Sequence, residues 1–411
     1  MGIVSRLKTS SWTLNDIYCR ISYGCWGYED VCSNLFGLYV WGHNPHGEQG
    51  YNRSGTDSHI PVLVGSVSCW NNASTDDMVG YYWVLATKSD GTAWAWGLNN
   101  HGQLGNGSST PRSSPTQVLG TCWRSASAGN YHGVGVKCDG TLWTWGYNGH
   151  GELGLNNTQS ISTPTQVGTC TNWLCGHASG HHGTFGIKCD NTLWAWGHNP
   201  SGDVGDGTTV SRSSPVQIPG AWCCAKGRQS AIGKKTDGTH WSWGSNPHGQ
   251  IGDGTTTPRS SPVAVPGCWL HISSTSTKHH NTAGVKCDNT LWVWGHNPSG
   301  DAGCCNCHMG QNLSPIQVPG NDWCCVGVGY NQTFGVKTNG TLWGFGANPH
   351  GNIDNTSNAR CSPQQIPGNN WKDVSGGHWF TVGRTKGISL SCQGINFDNY
   401  PSVYYQAFCC Y

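Results

Sequence analysis

Cysteine and histidine are the residues of this sequence whose chemistry could form a metal site. The densest group is CCNCH, which places Cys304, Cys305, Cys307 and His308 side by side. Zinc prefers four Cys or His ligands in a tetrahedron, usually supplied as two pairs that are separated along the chain. Ligands crowded into one short stretch strain that geometry, so the group is a weak metal candidate. We expect a disulfide or an intersubunit bridge there, and we predict no metal site and no cofactor.

Other cysteines recur at positions that indicate disulfides. One cysteine of a pair lies beside a tryptophan, and its partner lies in a KCDG or KCDN turn further along the chain. In an antiparallel hairpin the start of one strand faces the end of the next, so such cysteines would face each other. The predicted disulfides are Cys122–Cys138 and Cys268–Cys287, with Cys175–Cys189 as a third candidate. The alternative is that these cysteines are small buried hydrophobic residues.

Glycine and histidine motifs do not predict catalysis. Gly149, Gly151 and Gly154 have the spacing of a dinucleotide-binding loop. Their segment, WTWGYNGHGELG, is one of seven related segments, and a phosphate loop would not be repeated in this way. The glycines are therefore predicted to be turn residues. Histidine also recurs at one loop position of this repeat, so no catalytic histidine can be assigned and the protein is predicted not to be an enzyme.

The seven segments position all of these residues, and they recur at intervals of about 50 residues, a period typical of propellers. Their second aromatic residues are Trp41, Trp96, Trp145, Trp196, Trp243, Trp294 and Phe345. Each repeat predicts an opening strand, a second strand that ends in Lys-x-Asp or Lys-x-Asn, the Trp-x-Trp strand, and a fourth strand with Ser-Pro or Thr-Pro. The prolines suit an outer edge strand. The Asn that follows Trp-x-Trp-Gly is expected to bond to backbone two residues further on.

The full pattern W…K-x-D-G-x-L-W-x-W-G-x-N-x-x-G-Q-L-G…S-P-x-x-V resembles the regulator of chromosome condensation repeat over about residues 38–387. The resemblance implies an all-β fold, a seven-bladed β-propeller of four-stranded blades. The first copy begins at its third strand, and the last complete strands are WKDVSGGHWF and TVGRTK. We therefore expect N- and C-terminal strands to share one blade, which closes the ring and leaves no open sheet edge.

Three regions are predicted: an N-terminal arm at 1–37, the propeller at 38–387, and an aromatic, cysteine-rich tail at 388–411. The tail is nearly uncharged, which favours docking on another protein over exposure to solvent. The candidate docking residues are Tyr400, Tyr404, Tyr405, Phe408, Cys409 and Cys410. The alternative is that the tail packs over the edge of the ring.

Composition excludes several classes of function. The formal net charge is +1 and charged residues make up 10% of the chain, so no nucleic-acid partner is expected. No run of 18 apolar residues is present, so no membrane span is expected. The start of the sequence shows no apolar region typical of a secretory signal. The 22 cysteines nevertheless suit an oxidising compartment.

A virion protein would reconcile the cysteines with the missing signal, because it is made in a reducing cytosol and released by lysis. The repeats also resemble those of some phage structural and fibre proteins. We therefore predict a disulfide-stabilised virion component, such as a capsid-decoration, tail or fibre protein, located in the virion and extracellular after lysis. It would dock on protein subunits of a larger assembly and contact a host-surface glycan. The alternative is a cytoplasmic interaction propeller that regulates a protein partner, in the manner of an exchange factor; the family's nuclear role fits poorly, since the chain lacks a basic tail.

Overall fold

The structure, a computed structural model, describes the repeats and little of the chain on either side. It covers residues 34–35, 37–65, 70, 78–180, 183–227, 230–274, 281–301, 303, 310–386 and 388–389. All regular elements among these residues are β-strands. The all-β prediction is therefore confirmed.

The strands assemble into seven blade sheets and one small two-stranded sheet; we number the blades 1 to 7 in chain order, with blade 7 closing the ring. The chain begins with β1 (Asn34–Leu35), β2 (Leu38–Gly42) and β3 (Ser58–Leu63). Blade 1 follows with β4 (Trp83–Thr87), β5 (Ala93–Gly97) and β6 (Arg112–Gln117). Trp70 makes a bridge to Lys88 beside β4, at the place where the opening strand of this blade is predicted.

Blades 2 to 6 each contain four strands in sequence order. Blades 2 and 3 consist of β7 (Trp123–Ala128), β8 (His132–Lys137), β9 (Leu142–Gly146), β10 (Ile161–Gln166), β11 (Trp173–Ala178), β12 (Gly183–Lys188), β13 (Leu193–Gly197) and β14 (Arg212–Ile218). Blades 4 and 5 consist of β15 (Trp222–Gly227), β16 (Ser230–Lys235), β17 (His240–Gly244), β18 (Arg259–Val265), β19 (Trp269–Ser274), β20 (Asn281–Lys286), β21 (Leu291–Asn297) and β22 (Gly310–Val318). Blade 6 consists of β23 (Trp323–Gly329), β24 (Gln332–Lys337), β25 (Leu342–Gly346) and β26 (Arg360–Ile366).

Blade 7 joins strands from opposite ends of the repeat region. It contains β27 (Trp371–Gly376) and β28 (Phe380–Thr385), followed in the sheet by β2 and β3. The antiparallel pair of β2 with β28 runs from Leu38 opposite Arg384 to Gly42 opposite Phe380. The predicted ring closure is confirmed. Outside the ring, β29 (Ile388–Ser389) pairs with β1.

Within a blade, the opening strand lies at the centre of the ring and the fourth strand lies at the rim. Opening strands of neighbouring blades contact each other; for example, the Ala178 N–H in β11 donates to Ser127 Oγ in β7 at 3.1 Å. Fourth strands such as β14 are only partly buried. The prediction that the Ser-Pro strands form outer edges is therefore confirmed, and proline is tolerated there because an edge strand loses no inner hydrogen bond.

In six of the seven blades a buried tryptophan joins the blade to the one before it. Trp196 in β13 is completely buried, and its Nε1–H donates to the Glu152 carbonyl of blade 2 at 2.8 Å. Trp41 in β2 makes the same bond to the Asn352 carbonyl of blade 6 at 2.7 Å, across the closure. An indole buries a large apolar area while its N–H still finds a partner. The Trp-x-Trp repeat therefore explains both the core and the blade order.

A second set of tryptophans, at the start of the opening strands of blades 2 to 7, packs on glycine. A Cβ atom added at Gly135 would lie 2.7 Å from the Trp123 ring, so only glycine fits at this position of β8. The Lys137 ammonium lies 5.1 Å from the Trp123 ring centre and 3.9 Å from that of Trp143. A cation between two indole rings gains cation–π stabilisation. In blade 7 the lysine is replaced by Thr385.

A histidine and tyrosine face as the candidate binding site

Two kinds of loop share one end of the propeller. Because successive strands of a blade are antiparallel, the loop between the first and second strands and the loop between the third and fourth strands leave the sheet on the same side. We call this end the loop face. The hairpin turns between second and third strands, such as KCDG, lie at the other end.

At the centre of the loop face, aromatic side chains surround His378, in the loop between β27 and β28. Its ring centre lies 4.4 Å from that of Tyr81, 4.7 Å from Tyr82 and 4.5 Å from Tyr330. These residues come from the first-to-second-strand loops of blades 7, 1 and 6. Tilted and edge-on contacts at such distances are favourable for aromatic rings. Three blades therefore present one continuous aromatic cluster.

The cluster extends across blade 2. Tyr81 contacts Tyr131 at 5.5 Å between ring centres, and His101 lies 5.2 Å from Tyr131 and 5.0 Å from Tyr147. Tyr147 in turn lies 6.3 Å from His150. All five side chains are partly exposed. A connected strip of half-buried rings thus crosses the loop face from blade 6 to blade 2.

Trp379 adjoins the cluster in an unusual backbone conformation. Its φ is +67°, in the left-handed region, which costs a non-glycine residue about 1–3 kcal/mol. The Trp379 carbonyl accepts the His43 N–H at 2.8 Å and the Asn352 Nδ2–H at 2.9 Å, and its ring lies 4.4 Å from Tyr330. Such strain persists only where the surroundings enforce it, and it is concentrated at functional sites.

The tyrosines of the aromatic cluster are uncharged. Burial raises the pKa of Tyr81, of Tyr131 and of Tyr330, so their hydroxyls stay protonated. Burial lowers the pKa of His43 and of His46, which favours the uncharged imidazole. The rings therefore offer apolar faces and neutral hydrogen-bonding groups to whatever binds there.

Asparagines hold the loops between third and fourth strands. In blade 3, Asn199 Oδ1 accepts the Val204 N–H at 2.8 Å, and its Nδ2–H donates to the Thr208 and Val210 carbonyls at 3.0 and 3.1 Å. The same Oδ1 bond is made by Asn44, Asn99, Asn148, Asn246 and Asn348. The side chain reaches five residues on, and not the predicted two, because it bridges the whole loop. The loop histidines are thereby held on a rigid frame.

The structure brings together both predicted cysteine pairs of the KCDG type, and it joins one of them. Cys268 and Cys287 form a disulfide, with Cα atoms 5.6 Å apart. The Cys138 N–H donates to the Cys122 carbonyl at 2.8 Å, but no disulfide joins these two residues. The Cys122–Cys138 disulfide stays a prediction.

Cys175 and Cys189 do not lie opposite each other. The Cys189 N–H donates to the Asn172 carbonyl at 2.9 Å, while Cys175 pairs with Ile187. The structure shows no disulfide between them, and both pack against the apolar cluster between blades 3 and 4. This is the environment expected from the alternative interpretation, in which cysteine acts as a small hydrophobic residue.

Several predicted site residues lie outside the described residues. They are the CCNCH group (Cys304, Cys305, Cys307 and His308) and the tail residues Tyr400, Tyr404, Tyr405, Phe408, Cys409 and Cys410. Their proposed roles stay predictions. Among the residues that are described, one group brings three potential metal ligands together: His43, Asp57 and His350.

One histidine–hydroxyl contact resembles a catalytic pair but serves packing. His132 Nε2 lies 3.0 Å from Thr184 Oγ1, and both side chains are buried. The Thr184 hydroxyl donates to the Glu152 carbonyl at 2.7 Å, which leaves it no proton to give to a histidine base. The pair links blades 2 and 3 and presents no nucleophile to solvent.

Sequence reasoning missed the aromatic cluster. The repeat draws attention to invariant features, whereas Tyr131, Tyr330 and Trp379 occur in loops that differ from blade to blade. The available signal was their shared position in the short loop after the opening strand.

No helix among the described residues is long and apolar enough to cross a membrane.

Comparison with protein families finds the regulator of chromosome condensation (RCC1) repeat at residues 90–136 and 139–187, and a second RCC1 repeat model at 123–152. Three solved structures share the fold. Human WBSCR16 is 17% identical, with a TM-score of 0.75, and the match covers 86% of this chain and 99% of that one. Yeast RCC1 (Prp20) in its complex with Kap60 is 16% identical, with a TM-score of 0.74 and coverage of 93% and 95%.

Prp20p from Saccharomyces cerevisiae, a structure described together with binding to Gsp1p and histones, is 16% identical with a TM-score of 0.73 and coverage of 92% and 96%. At this level of identity the structures establish the fold, while the family matches and the seven-fold motif establish the repeat type. The chain is a seven-bladed β-propeller that contains regulator of chromosome condensation repeats.

Proposed function

We propose that this protein is a non-enzymatic interaction propeller that binds a protein partner through its loop face. The observation that carries the proposal is the continuous cluster of Tyr81, Tyr82, Tyr131 and Tyr330 around the buried His378. Its tyrosines are half-buried and come from several blades. Tyrosine and tryptophan are enriched at the centres of protein interfaces, where they supply most of the binding energy.

The cluster is also preorganised. Its side chains pack on each other, and Trp379 is held by two hydrogen bonds to its carbonyl. Rings that are already fixed lose little conformational entropy when a partner covers them, so more of the contact energy appears as affinity. A rigid aromatic surface of this kind suits a folded protein partner.

The structural neighbours support a protein as the class of partner. Yeast RCC1 (Prp20) binds the protein Kap60, and Prp20p has been examined with Gsp1p and histones. We infer that the present chain likewise regulates or recruits a protein, as in the exchange-factor-like alternative. The low charge of its repeats favours a partner recognised by aromatic packing over one recognised by charge.

The virion placement and the contact with a host glycan stay hypotheses. They depend on extensive disulfide bonding; among the described cysteines Cys268, Cys287 and Cys361 are disulfide-bonded, whereas Cys122, Cys138 and Cys175 are not. A count of free thiols on unreduced protein from its source tests this version. Mostly oxidised cysteines would favour a virion component, whereas mostly reduced cysteines would favour the intracellular propeller.

The proposed function is tested by partner capture with tyrosine variants. The bait is the full chain, exposed to extract from its source, with the captured protein then titrated in purified form. Tyr81→Ala and Tyr330→Ala should each weaken binding about 30-fold, the effect of a hot-spot residue worth about 2 kcal/mol. Tyr39→Ala, at the opposite end of blade 7, is the matched control and should leave affinity unchanged. If both loop-face variants bind as well as the wild type while Tyr39→Ala does not, the proposed face is wrong.

A further inference from the structure

A histidine–aspartate group lies where the ring closes, between blade 6 and blade 7. It consists of His43, Asp57 and His350, whose potential ligand atoms all lie within 4.8 Å of one another. His350 Nδ1 lies 2.8 Å from Asp57 Oδ2, and the His350 and His43 rings stack with centres 3.9 Å apart. Three different loops therefore converge on one small volume.

The backbone holds these residues in place. Asp57 Oδ1 accepts the Asn44 N–H at 3.1 Å, which aims Oδ2 at His350. His43 directly follows β2, and its N–H is fixed on the Trp379 carbonyl. The side chains of His350 and Asp57 are 25% and 28% exposed, so an ion can reach them from solvent.

One polar atom in this group has no hydrogen-bond partner among the described residues. His43 Nδ1 is buried and makes no hydrogen bond. A buried polar atom that is left unsatisfied requires an explanation, and a missing ion or water is a common one. The group thus combines three potential metal ligands with a buried nitrogen, His43 Nδ1, that makes no hydrogen bond.

We propose that His43, Asp57 and His350 bind a divalent transition-metal ion, with zinc as the best match. Two imidazoles and one carboxylate are a ligand set used for zinc and related ions, with water in the fourth position. The ion replaces the hydrogen that His350 Nδ1 and Asp57 share, and the neutral His350 ring keeps its proton on Nε2. This inference is independent of the proposed function, since it concerns the closure and not the binding of a partner.

The position gives the ion a structural role. His350 and Asp57 are 293 residues apart in sequence, and they belong to the two blades that meet at the closure. An ion bound by both blades links distant parts of the chain and stabilises the folded state, because the unfolded chain does not present the three ligands together. The ion therefore stabilises the closed form of the ring.

A second pair of neighbouring histidine rings, tilted at 36°, provides an internal control. His150 and His198 lie between blades 2 and 3 with ring centres 4.1 Å apart, at the same two loop positions. There, Ser211 Oγ accepts the Asn199 N–H at 3.2 Å, the role that Asp57 plays for Asn44. The carboxylate distinguishes the closure from this interior interface.

The test is a zinc titration of the full, reduced chain by calorimetry, comparing the wild type with His350→Gln, Asp57→Asn and the matched control His150→Gln. Cysteine sites are common to all four proteins and cancel in the comparison. The wild type and His150→Gln should bind one more zinc ion than His350→Gln. Loss of a ligand should weaken this site by at least about 100-fold, the upper end of what an outer-shell change costs.

Asp57→Asn guards against a trivial folding defect, because asparagine can still accept the Asn44 N–H while its amide is a poor zinc ligand. Cobalt gives a second reading, since a site of nitrogen and oxygen ligands lacks the thiolate charge-transfer absorption of a cysteine site. Equal zinc stoichiometry and affinity in the wild type, His350→Gln and Asp57→Asn would overturn the proposal. So would a cobalt spectrum in which the variants change only thiolate absorption.

Discussion

Blade 3 and blade 7 have the same architecture but are assembled differently. In blade 3, hairpins connect all four strands, whereas in blade 7 the pair β28–β2 has no connecting turn. The residues that pair between the first and second strands also differ. Ile187 lies opposite Cys175 in blade 3, whereas Arg384 lies opposite Asp373 in blade 7, and its guanidinium Nε–H donates to Asp373 Oδ1 at 2.9 Å.

The difference indicates how the closure is specified. A hairpin brings its two strands together at little entropic cost, but strands from distant parts of the chain must find each other against a larger loop-closure cost. Directional charged contacts distinguish the correct pairing from alternatives better than apolar contacts do. In blade 7 the contact His350–Asp57 joins distant parts of the chain, and Arg384–Asp373 stabilises the β27–β28 hairpin on which β2 pairs.

The largest effect is expected from breaking the buried ion pair. Arg384 is 1% exposed, so Arg384→Leu leaves the Asp373 carboxylate without its partner. Removing one member of a buried pair costs about 3–5 kcal/mol. We expect this loss in the free energy of unfolding, measured by urea denaturation.

The matched control converts the pair to the chemistry of blade 3. The double variant Asp373→Cys with Arg384→Ile should recover most of the lost stability, because no charge then remains buried. If the double variant is no more stable than Arg384→Leu, charge is not what distinguishes the two blades.

A pH-dependent effect follows from the acidic residues that blades 7 and 3 carry in the loop after the third strand. Burial raises the pKa of Glu48 in blade 7 from 4.5 to about 8, and that of Asp203 in blade 3 from 3.8 to about 6. Between these values the unfolded chain has lost a proton that the folded chain retains, so stability falls as pH rises. The window is about pH 4.5–8 for Glu48 and about pH 3.8–6 for Asp203.

Glu48→Gln should therefore stabilise the protein at pH 8 by a few kcal/mol and flatten its stability between pH 5 and 8, while Asp203→Asn should give a smaller gain. Gln103 occupies the equivalent position in blade 1, and its Oε1 accepts the His101 N–H at 2.9 Å, so the amide fits. Thermal unfolding across this pH range measures the effect. Equal gains from both variants would contradict the difference in burial.

A smaller, matched effect is expected at the tryptophans that join neighbouring blades. Trp41→Phe and Trp145→Phe each leave one buried carbonyl, of Asn352 and Gln103 respectively, without its donor. This should cost about 1–3 kcal/mol in each case. Phe345 occupies the position in blade 6, so the ring itself is accommodated. A much larger loss at Trp41 in urea denaturation would show that the closure depends on this bond more than the interior interfaces do.

The smallest change in stability is expected from a substitution that should create a second metal site, at the interface between blades 2 and 3. Ser211→Asp places a carboxylate beside the neighbouring rings of His150 and His198, at the position of Asp57. We expect one additional zinc ion per chain by calorimetry, with little change in stability when zinc is absent. Unchanged stoichiometry would mean that the carboxylate alone does not define the site.

The fold could be predicted from the sequence because its determinants repeat. Trp-x-Trp strands such as β13 recur with the same neighbouring segments. The length of the repeat and the order of its strands can therefore be read from the sequence. The closure followed from a first copy that begins at its third strand. These features depend on contacts within a repeat or between adjacent repeats.

The candidate sites could not be predicted in the same way. His350 and Asp57 are far apart in sequence, and their contact depends on the ring being closed. Tyr330 and Tyr81 meet around His378 because three loops of different sequence converge on the axis of the loop face. Cys175 was assigned a partner by spacing, but the strand register placed Ile187 opposite it. Contacts set by register or by closure leave no local signal.

The pairing of β2 with β28 also has a mechanical consequence. Leu38, where the chain enters the ring, lies opposite Arg384, next to the residue at which β28 ends. Force applied through the flanking segments would therefore act at one end of this strand pair. Its hydrogen bonds would break one after another from that end, and not all at the same time. His43 lies beyond the other end of this strand pair. A metal ion bound there would therefore be the last contact to break, and it would keep the ring closed after the strands had separated.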